Sequence, residues 1–311
     1  MKKNLKILIL LFVTLFVGVG AILMLGNSRK HGDKISIVTT NFPAYDFARA
    51  VAGDKADIKM LIKPGAELHN YEPSPSDIID IKNSDLVIYN GGESDEWIED
   101  DLIGNVKVFK MMNAVELVEE EAVEGMEGDE EESEEAEYDE HIWTSLRNAQ
   151  KIINNLTDTL SEISPENKAY FEQNTKNYNQ RLADIDTRFQ EIISGAKRKT
   201  LVFGDRFPLR YFVEDYDLDY YAAFPGCSDQ TEASNQTIAF LVDKVKSEKI
   251  PVVLKIEMSS DAIARTIARE AGVKYLTFNS AHTISAEDFS NGKTYADIME
   301  SNLEAIREAL N

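Results

Sequence analysis

The amino-acid sequence predicts an α/β protein with two βα lobes, each built on a parallel sheet, joined by one long rigid helix. Three observations predict this fold. Short apolar runs alternate with helical patterns in the first half, the same alternation returns after residue 198, and an amphipathic helix of about 29 residues lies between the two series. Alternating strands and helices favour a parallel sheet covered by helices. A helix of roughly 43 Å is suited to join two such lobes.

The first series of strands and helices begins after residue 33. Its apolar runs predict strands at Ile35–Thr40, Ile58–Ile62, Leu86–Tyr89 and Val106–Phe109. Between them, amphipathic stretches predict helices near Tyr45–Val51, Ser76–Lys82 and Asp95–Leu102. Ser74 or Ser76 is a natural N-terminal cap for the second of these helices.

Two longer helices are predicted in the middle of the chain. The first covers Ser145–Leu160, and the second begins at Ser164, Pro165 and Glu166, which supply a cap, a first-turn proline and a first-turn acid. The second helix is expected to end at Gly195. Its apolar residues recur at the spacing of one helical face, which indicates packing against other elements.

The second series repeats the architecture of the first without a convincing sequence repeat. Strands are predicted at Thr200–Phe203, Leu218–Ala222, Val252–Ile256 and Lys274–Phe278. Helices are predicted near Leu209–Asp215, Ser234–Ser247, Asp261–Glu270 and Thr294–Leu310. The predicted organisation is therefore a first lobe at 34–143, helices at 144–197 that include the linking helix of about 165–194, and a second lobe at 198–311.

Residues 1–33 are predicted to be a signal or anchor segment with a short polar tether. Three lysines precede an uncharged apolar run, Ile7–Leu25, and this order is typical of an export signal. Because the run is close to bilayer thickness, an uncleaved anchor and a leader cleaved after Ala21 both remain open. Either places the body at the extracytoplasmic face of the membrane, anchored or secreted. The single cysteine, Cys227, excludes an internal disulfide and a multi-thiolate metal site, and no lipoprotein cysteine follows the apolar run.

The charge is concentrated in one acidic segment. The 311 residues carry a net charge of −22, and residues 116–140 hold 15 acids and no base. Removing these acids leaves −7 for the rest of the chain. A nucleic-acid partner is not expected, because phosphate backbones are bound by clustered lysine and arginine. The acidic segment is either solvated and disordered or a weak antenna that concentrates divalent cations near a binding cleft.

Candidate metal ligands follow the predicted strands. Ligands of open parallel sheets bind at the carboxyl ends of the strands, and three of the four histidines lie in such loops or at a helix start: His69, His141 and His282. Asp205 and Glu257 also directly follow predicted strands. Imidazole binds borderline divalent metals well, and a carboxylate can complete the coordination shell.

Two motifs resemble the metal-binding solute-binding proteins that deliver zinc or manganese to ABC importers. His69-Asn70-Tyr71-Glu72-Pro73-Ser74-Pro75-Ser76-Asp77 is similar to the family's His-x-Tyr-Glu-Pro-Ser/Thr-x-x-Asp, and Asp139-Glu140-His141-Ile142-Trp143 is similar to its Asp-Pro-His-hydrophobic-Trp. The resemblance implies that His69 and His141 are the first two ligands. It also implies a metal site in the cleft between the lobes.

The chain departs from the family at the other two ligand positions. The family's third ligand, a histidine or glutamate, aligns with Gly204, and its fourth, an aspartate, aligns with Asn279. Asp205 and His282 are the nearest substitutes. The expected ligand set is therefore His69, His141, Asp205 and His282, with Glu257 and Glu232 in reserve.

The resemblance implies a metal receptor rather than an enzyme. Three imidazoles and one carboxylate favour zinc over manganese, whereas ligation by both Asp205 and Glu257 without His282 would favour manganese. The expected partners are the divalent ion, the permease and ATPase of an ABC transporter, and the membrane through the N-terminal segment; the protein is expected to be a monomer. A surface metallohydrolase and a family member with an altered or lost metal site are the alternatives.

Overall fold

Two four-stranded parallel sheets organise the chain. The computed structural model describes residues 34–69, 71–98, 103–127, 137–226, 228 and 232–311. The predicted export segment at residues 1–33 therefore lies outside the described residues, as do Cys227 and part of the acidic segment. Across the described ranges, no helix combines the length and apolar character needed to span a bilayer.

The first sheet has the strand order β2-β1-β3-β4, and every pairing in it is parallel. Its strands are β1 Ile35–Thr39, β2 Ala56–Met60, β3 Leu86–Tyr89 and β4 Lys107–Lys110. Helices α1 Phe42–Ala52 and α2 Pro75–Asn83 connect them. Of the two caps predicted for α2, Ser74 and Ser76, the structure has Ser74, which forms a reciprocal capping box with Asp77. Where a helix was predicted at Asp95–Leu102, the structure has a short 3-10 turn at Glu93–Asp95, and residues 99–102 lie outside the described residues.

The long helix predicted between the lobes is confirmed. Helix α3 covers Leu146–Ile163, capped by the Ser145 side chain, and α4 covers Lys168–Ser194, after a 3-10 turn at Pro165–Asn167. The 27 residues of α4 span about 40 Å. Its buried face includes Phe171, Leu182 and Phe189, which belong to an apolar core shared by both sheets.

The second sheet has the order β6-β5-β7-β8, again with parallel pairing. Its strands are β5 Thr200–Phe207, β6 Asp219–Pro225, β7 Val252–Ile256 and β8 Lys274–Phe278. The helices are α5 Arg210–Tyr216, α6 Asn235–Ser247, α7 Ala262–Ala271, α8 Ala286–Ser290 and α9 Tyr295–Leu310. Strand β5 runs four residues further than predicted, with a register shift between Phe203 and Arg206. Asp205, which was expected in a loop after the strand, therefore lies within it.

The C-terminal helix α9 packs against the first lobe. The fully buried ring of Tyr295 meets Phe47 of α1 edge-on, with 5.1 Å between ring centroids. The backbone N–H of Tyr295 donates to Asp46 Oδ2 at 2.9 Å, and its hydroxyl donates to the carbonyl of Trp143 at 2.5 Å. The last helix of the sequence thus completes the core beside the first.

The described parts of the acidic segment contact the second lobe. Glu119 pairs with Tyr138 in an antiparallel bridge. Glu121 forms an ion pair with Arg210 at 3.3 Å, and Glu127 Oε1 accepts from the backbone N–H of Ser234 at 2.6 Å. The carbonyl of Ala223 accepts from Glu127 N–H at 2.9 Å. These residues are held by specific bonds, which a purely solvated segment would lack.

Candidate metal centre

Three of the four predicted ligands come together at one point. His69 follows β2, His141 precedes α3, and His282 follows β8. Their ring centroids form a near-equilateral triangle, with separations of 5.8 Å between His69 and His141, 5.1 Å between His69 and His282, and 5.4 Å between His141 and His282. One ligand nitrogen from each ring lies within 4.8 Å of the others, and within the described ranges these three residues are the group of histidine, cysteine and carboxylate side chains that meets this test.

His69 presents its Nε2 atom to the centre. Its Nδ1 lies 2.8 Å from the hydroxyl oxygen of Ser94, so the other ring nitrogen is available. Burial, and then the neighbouring rings of His141 and His282, lower the pKa of His69 to about 3. His69 is therefore neutral at physiological pH, which is the form that binds a metal.

His141 is oriented by Asp139, and both side chains are fully buried. Its backbone N–H donates to Asp139 Oδ1 at 2.8 Å, and its Nδ1 lies 3.2 Å from the same oxygen. Because a carboxylate only accepts, the proton is on Nδ1 and the lone pair is on Nε2. Burial lowers the pKa of His141, but the Asp139 carboxylate outweighs it, so the pKa is raised above the ordinary value.

The loop that carries His282 is shaped by Glu257. This carboxylate accepts from the N–H of Ser280 at 2.7 Å, the hydroxyl of Ser280 at 2.9 Å and the N–H of His282 at 2.9 Å. The tight loop has Ala281 in the left-handed region, with φ of 59°. Asn279 Oδ1 accepts from Ala281 N–H at 2.9 Å. Asn279 thus shapes the loop, and His282 extends from it toward the other rings.

Gly204 cannot be replaced by the family's third ligand. A Cβ atom at this position would lie 2.5 Å from the Cα and 2.7 Å from the backbone nitrogen of Ala264 in α7. Real Cβ atoms essentially never approach backbone this closely. The close approach of α7 to β5 therefore leaves no room for a side chain at 204 unless the backbone shifts, and it disfavours histidine and glutamate there.

Asp205, the fourth predicted ligand, is not part of the histidine group. Its buried carboxylate accepts from the N–H of Arg206 at 2.9 Å, from the N–H of Ile256 at 3.1 Å and from the Ser259 hydroxyl. These bonds tie β5 to β7. Ligation by Asp205 stays a prediction. Of the two residues in reserve, Glu257 holds the His282 loop and Glu232 is exposed.

Glu67 lies beside His282 but, like Asp205, is not part of the histidine group. Its Oε1 lies 3.2 Å from His282 Nε2, and its Oε2 accepts from Arg206 Nη2 at 3.1 Å. The adjoining His282 ring and the Arg206 guanidinium hold the pKa of Glu67 well below its usual value despite partial burial. Glu67 is in the same loop as His69 but was not among the predicted ligands. Its partners lie more than 130 residues further along the chain, so the sequence gives no sign of these contacts.

An acidic cavity is lined by Glu140, the residue before His141, but by none of the three histidines. It has a volume of about 530 Å³, and carboxylates dominate the charge of its lining: Glu93, Asp95, Glu96, Glu120, Glu137 and Glu140. Burial raises the pKa of Asp95 to about 6. Glu140 lies next to His141 and accepts from the N–H of Ser94 at 2.9 Å, so it contacts the residue that bonds His69. A cavity with this lining attracts cations.

The donor set fits a divalent transition metal. Nε2 of all three histidines is buried without a hydrogen-bond partner among the residues the structure describes. Buried polar atoms are nearly always paired, so these three nitrogens, which lie close together, are the atoms that would bind a metal ion. Neutral imidazole nitrogens are zinc ligands of choice.

Comparison with known proteins places this geometry among metal-binding proteins. The model of the family described as zinc-uptake complex component A periplasmic (ZnuA) matches residues 37–309. The zinc-binding lipoprotein AdcA of Streptococcus pneumoniae (strain ATCC BAA-255 / R6) is 32% identical over 290 residues, which are 91% of this chain and 57% of AdcA. The chain therefore spans little more than half of that relative. The high-affinity zinc uptake system protein ZnuA of Bacillus subtilis (strain 168) is 33% identical over 292 residues, which are 92% of this chain and 90% of that protein.

Two crystal structures share the fold. The Zn(II)-bound ZnuA-like domain of Streptococcus pneumoniae AdcA superposes with a TM-score of 0.75 and 32% identity, covering 89% of this chain and 99% of that one. The metal-dependent lipoprotein YcdH of Bacillus subtilis gives a TM-score of 0.76 and 30% identity, covering 89% and 100%. The two-lobed architecture is therefore that of known metal-binding proteins.

Proposed function

The chain belongs to the family of zinc-uptake complex component A periplasmic proteins, and from this premise we propose that it is an extracytoplasmic receptor that captures zinc and delivers it to an ABC importer. The observation that carries the proposal is the convergence of three histidines, two buried and one partly buried, whose ligand nitrogens lie within 4.8 Å of one another.

We propose that His69, His141 and His282 bind the ion through Nε2 and that one carboxylate completes the shell. Asp205 is the carboxylate expected from the sequence. Three imidazoles favour zinc over manganese, which prefers oxygen ligands. The relatives named for zinc binding and zinc uptake support the same choice.

The acidic cavity would supply the ion. Its carboxylates attract cations in general, and the imidazoles of the histidine group would select among them by their softer nitrogen donors. Capture would therefore proceed in two stages, with weak oxygen contacts followed by tight nitrogen ligation. We propose that the acidic segment concentrates divalent cations, as one of the two interpretations of its sequence suggests. It contributes Glu120, Glu137 and Glu140 to the cavity wall.

The partners follow from the family and are part of the proposal. We infer a permease with its ATPase as the acceptor of the ion, a monomeric receptor, and attachment to the membrane through the N-terminal segment. The two lobes, at 34–143 and 198–311, would contribute ligands from both sides, with the linking helix holding the lobes in register. No observation on the described residues favours the metallohydrolase alternative.

Zinc titration of the purified full chain tests the function. We expect one tightly bound zinc ion per chain, with manganese and calcium bound far more weakly. His69→Ala and His141→Ala should abolish tight binding, while His31→Ala, in the predicted tether, is the matched control and should leave it intact. A chain that binds no zinc, or that binds it equally well without His69 and His141, would refute the proposal.

A further inference from the structure

We propose that Glu67 is the fourth zinc ligand, and that Arg206 holds its carboxylate beside the site until the ion arrives. This inference rests on the proposed zinc-receptor function and adds the identity of the carboxylate to it. It departs from the ligand set expected from the sequence, in which Asp205 fills this role.

The first support is a distance. Zinc binds nitrogen and oxygen at about 2.0–2.2 Å, so two ligands of one tetrahedral shell lie about 3.3 Å apart. Glu67 Oε1 and His282 Nε2 are 3.2 Å apart, in a geometry that falls short of a hydrogen bond for that nitrogen. The pair already has the spacing of two atoms that share an ion.

The second support is the division of the Glu67 carboxylate between two partners. Oε2 accepts from Arg206 at 3.1 Å, while Oε1 accepts from the N–H of Leu68 at 3.1 Å and lies 3.2 Å from His282 Nε2. The guanidinium thus holds one oxygen of the carboxylate beside the site, and the side chain remains partly exposed.

The third support is that the competing carboxylates are already bonded. Asp205 accepts from Arg206 N–H, Ile256 N–H and the Ser259 hydroxyl. Glu257 accepts from Ser280 and His282. Moving either one to the metal would leave several N–H groups without partners, at about 1–3 kcal/mol each, whereas Glu67 accepts from a single backbone N–H, that of Leu68, and already lies beside His282.

The loop that carries Glu67 is already tied to the His282 loop. Gly65 N–H donates to the Thr283 hydroxyl at 3.2 Å, two residues from Glu67 and one from His282. His69 lies in the same loop. A small shift of residues 65–69 would therefore bring two ligands, one imidazole and one carboxylate, onto the ion together.

Zinc titration and cobalt spectroscopy of the full chain test this assignment. Glu67→Gln should weaken zinc binding by at least about 100-fold, since even outer-shell partners cost about 10–100-fold when removed. It should also change the visible absorption of the Co²⁺-loaded chain, because the shell loses a charged oxygen. Glu72→Gln, an exposed carboxylate five residues away, is the matched control and should change neither.

The variant Asp205→Asn distinguishes Glu67 from Asp205 as the fourth ligand. Circular dichroism would confirm that the variant is folded. We expect its Co²⁺ spectrum to match that of the unsubstituted chain. An unchanged spectrum in Glu67→Gln overturns the inference whatever the loss of affinity, and so does a changed spectrum in Asp205→Asn alone. If the unsubstituted chain binds neither zinc nor cobalt, the receptor function itself fails, and that result is distinct from both.

Discussion

Asp139 accepts both the backbone N–H and the ring N–H of His141 through a single oxygen, Oδ1, at 2.8 Å and 3.2 Å. This arrangement fixes the ring in place and fixes its tautomer, so that Nε2 faces His69 and His282 with a lone pair. Partners of this kind commonly raise the basicity of a metal-bound imidazole as well.

Asp139→Asn should therefore weaken zinc binding by about 10–100-fold. The amide can still accept from the backbone N–H, but it does not favour the Nδ1-protonated ring as strongly. Calorimetric titration measures the loss, and ¹⁵N NMR of the ring nitrogens reports the tautomer. Equal affinity and an unchanged tautomer in the variant would contradict this role for Asp139.

The stability of the metal-free chain should depend on pH through two histidines in separate windows. The pKa of His69 falls from 6.5 to about 3 on folding, so between these values the unfolded chain binds a proton that the folded chain does not. The free energy of unfolding should fall as the pH is lowered through this window, by up to about 1.4 kcal/mol per pH unit. The raised pKa of His141 has the opposite sign. Its contribution is fully present below pH 6.5 and is lost as the pH rises through the folded value.

Urea unfolding in the presence of a chelator, from pH 4.5 to 8.5, measures both slopes. His69→Gln should flatten the acid side and leave the alkaline side as it was. Parallel curves for the two proteins across the acid window would show that His69 is not the group responsible.

Zinc should stabilise the folded chain by mass action. An ion that binds only the folded state at 100 times its dissociation constant adds about 2.7 kcal/mol to the free energy of unfolding. We expect the midpoint of thermal unfolding to rise with zinc concentration and to fall back on addition of a chelator. His69→Ala, which lacks a ligand, should show no rise, and a rise of equal size in that variant would indicate binding elsewhere.

Gly204→Ala should destabilise the chain by about 1–3 kcal/mol, the usual cost of forcing an extra carbon into a packed core. The added Cβ would meet the backbone of Ala264, which cannot rotate away. Gly195→Ala is the matched control, since a Cβ there has its nearest contact at 3.5 Å. Denaturant titration compares the two, and equal midpoints would contradict the close approach of α7.

Most of the fold could be predicted, because its strands and helices follow from patterns in consecutive residues. The strand at Leu86–Tyr89 and the linking helix that ends near Gly195 were predicted in this way, and the structure confirms both. Strand β5 was predicted too short because Gly204 and Asp205 are unfavourable in strands. Pairing with β6 through Phe207 overrides that preference.

The three histidines that lie together could be predicted from local features of the sequence. His69 and His141 stand in short motifs, and His282 was inferred from its place after a strand. By contrast, glycine is needed at 204 because the backbone of Ala264 lies close to it. The contacts of Glu67 with Arg206 and His282 also join residues that are distant in sequence. Contacts between residues so distant along the chain leave no periodic or positional signature in a single sequence.

The packing of Tyr295 on Phe47 has a consequence for how the chain acquires its structure. Helix α1 buries the ring of Phe47 against Tyr295 and pairs its Asp46 carboxylate with the N–H of the same residue, 249 positions after Asp46. The N-terminal half cannot finish its interior before residue 295 has been synthesised. Folding should therefore be completed only once residue 295 has left the ribosome, as expected where contacts of long sequence separation dominate, and nascent chains halted before residue 295 should remain sensitive to protease throughout.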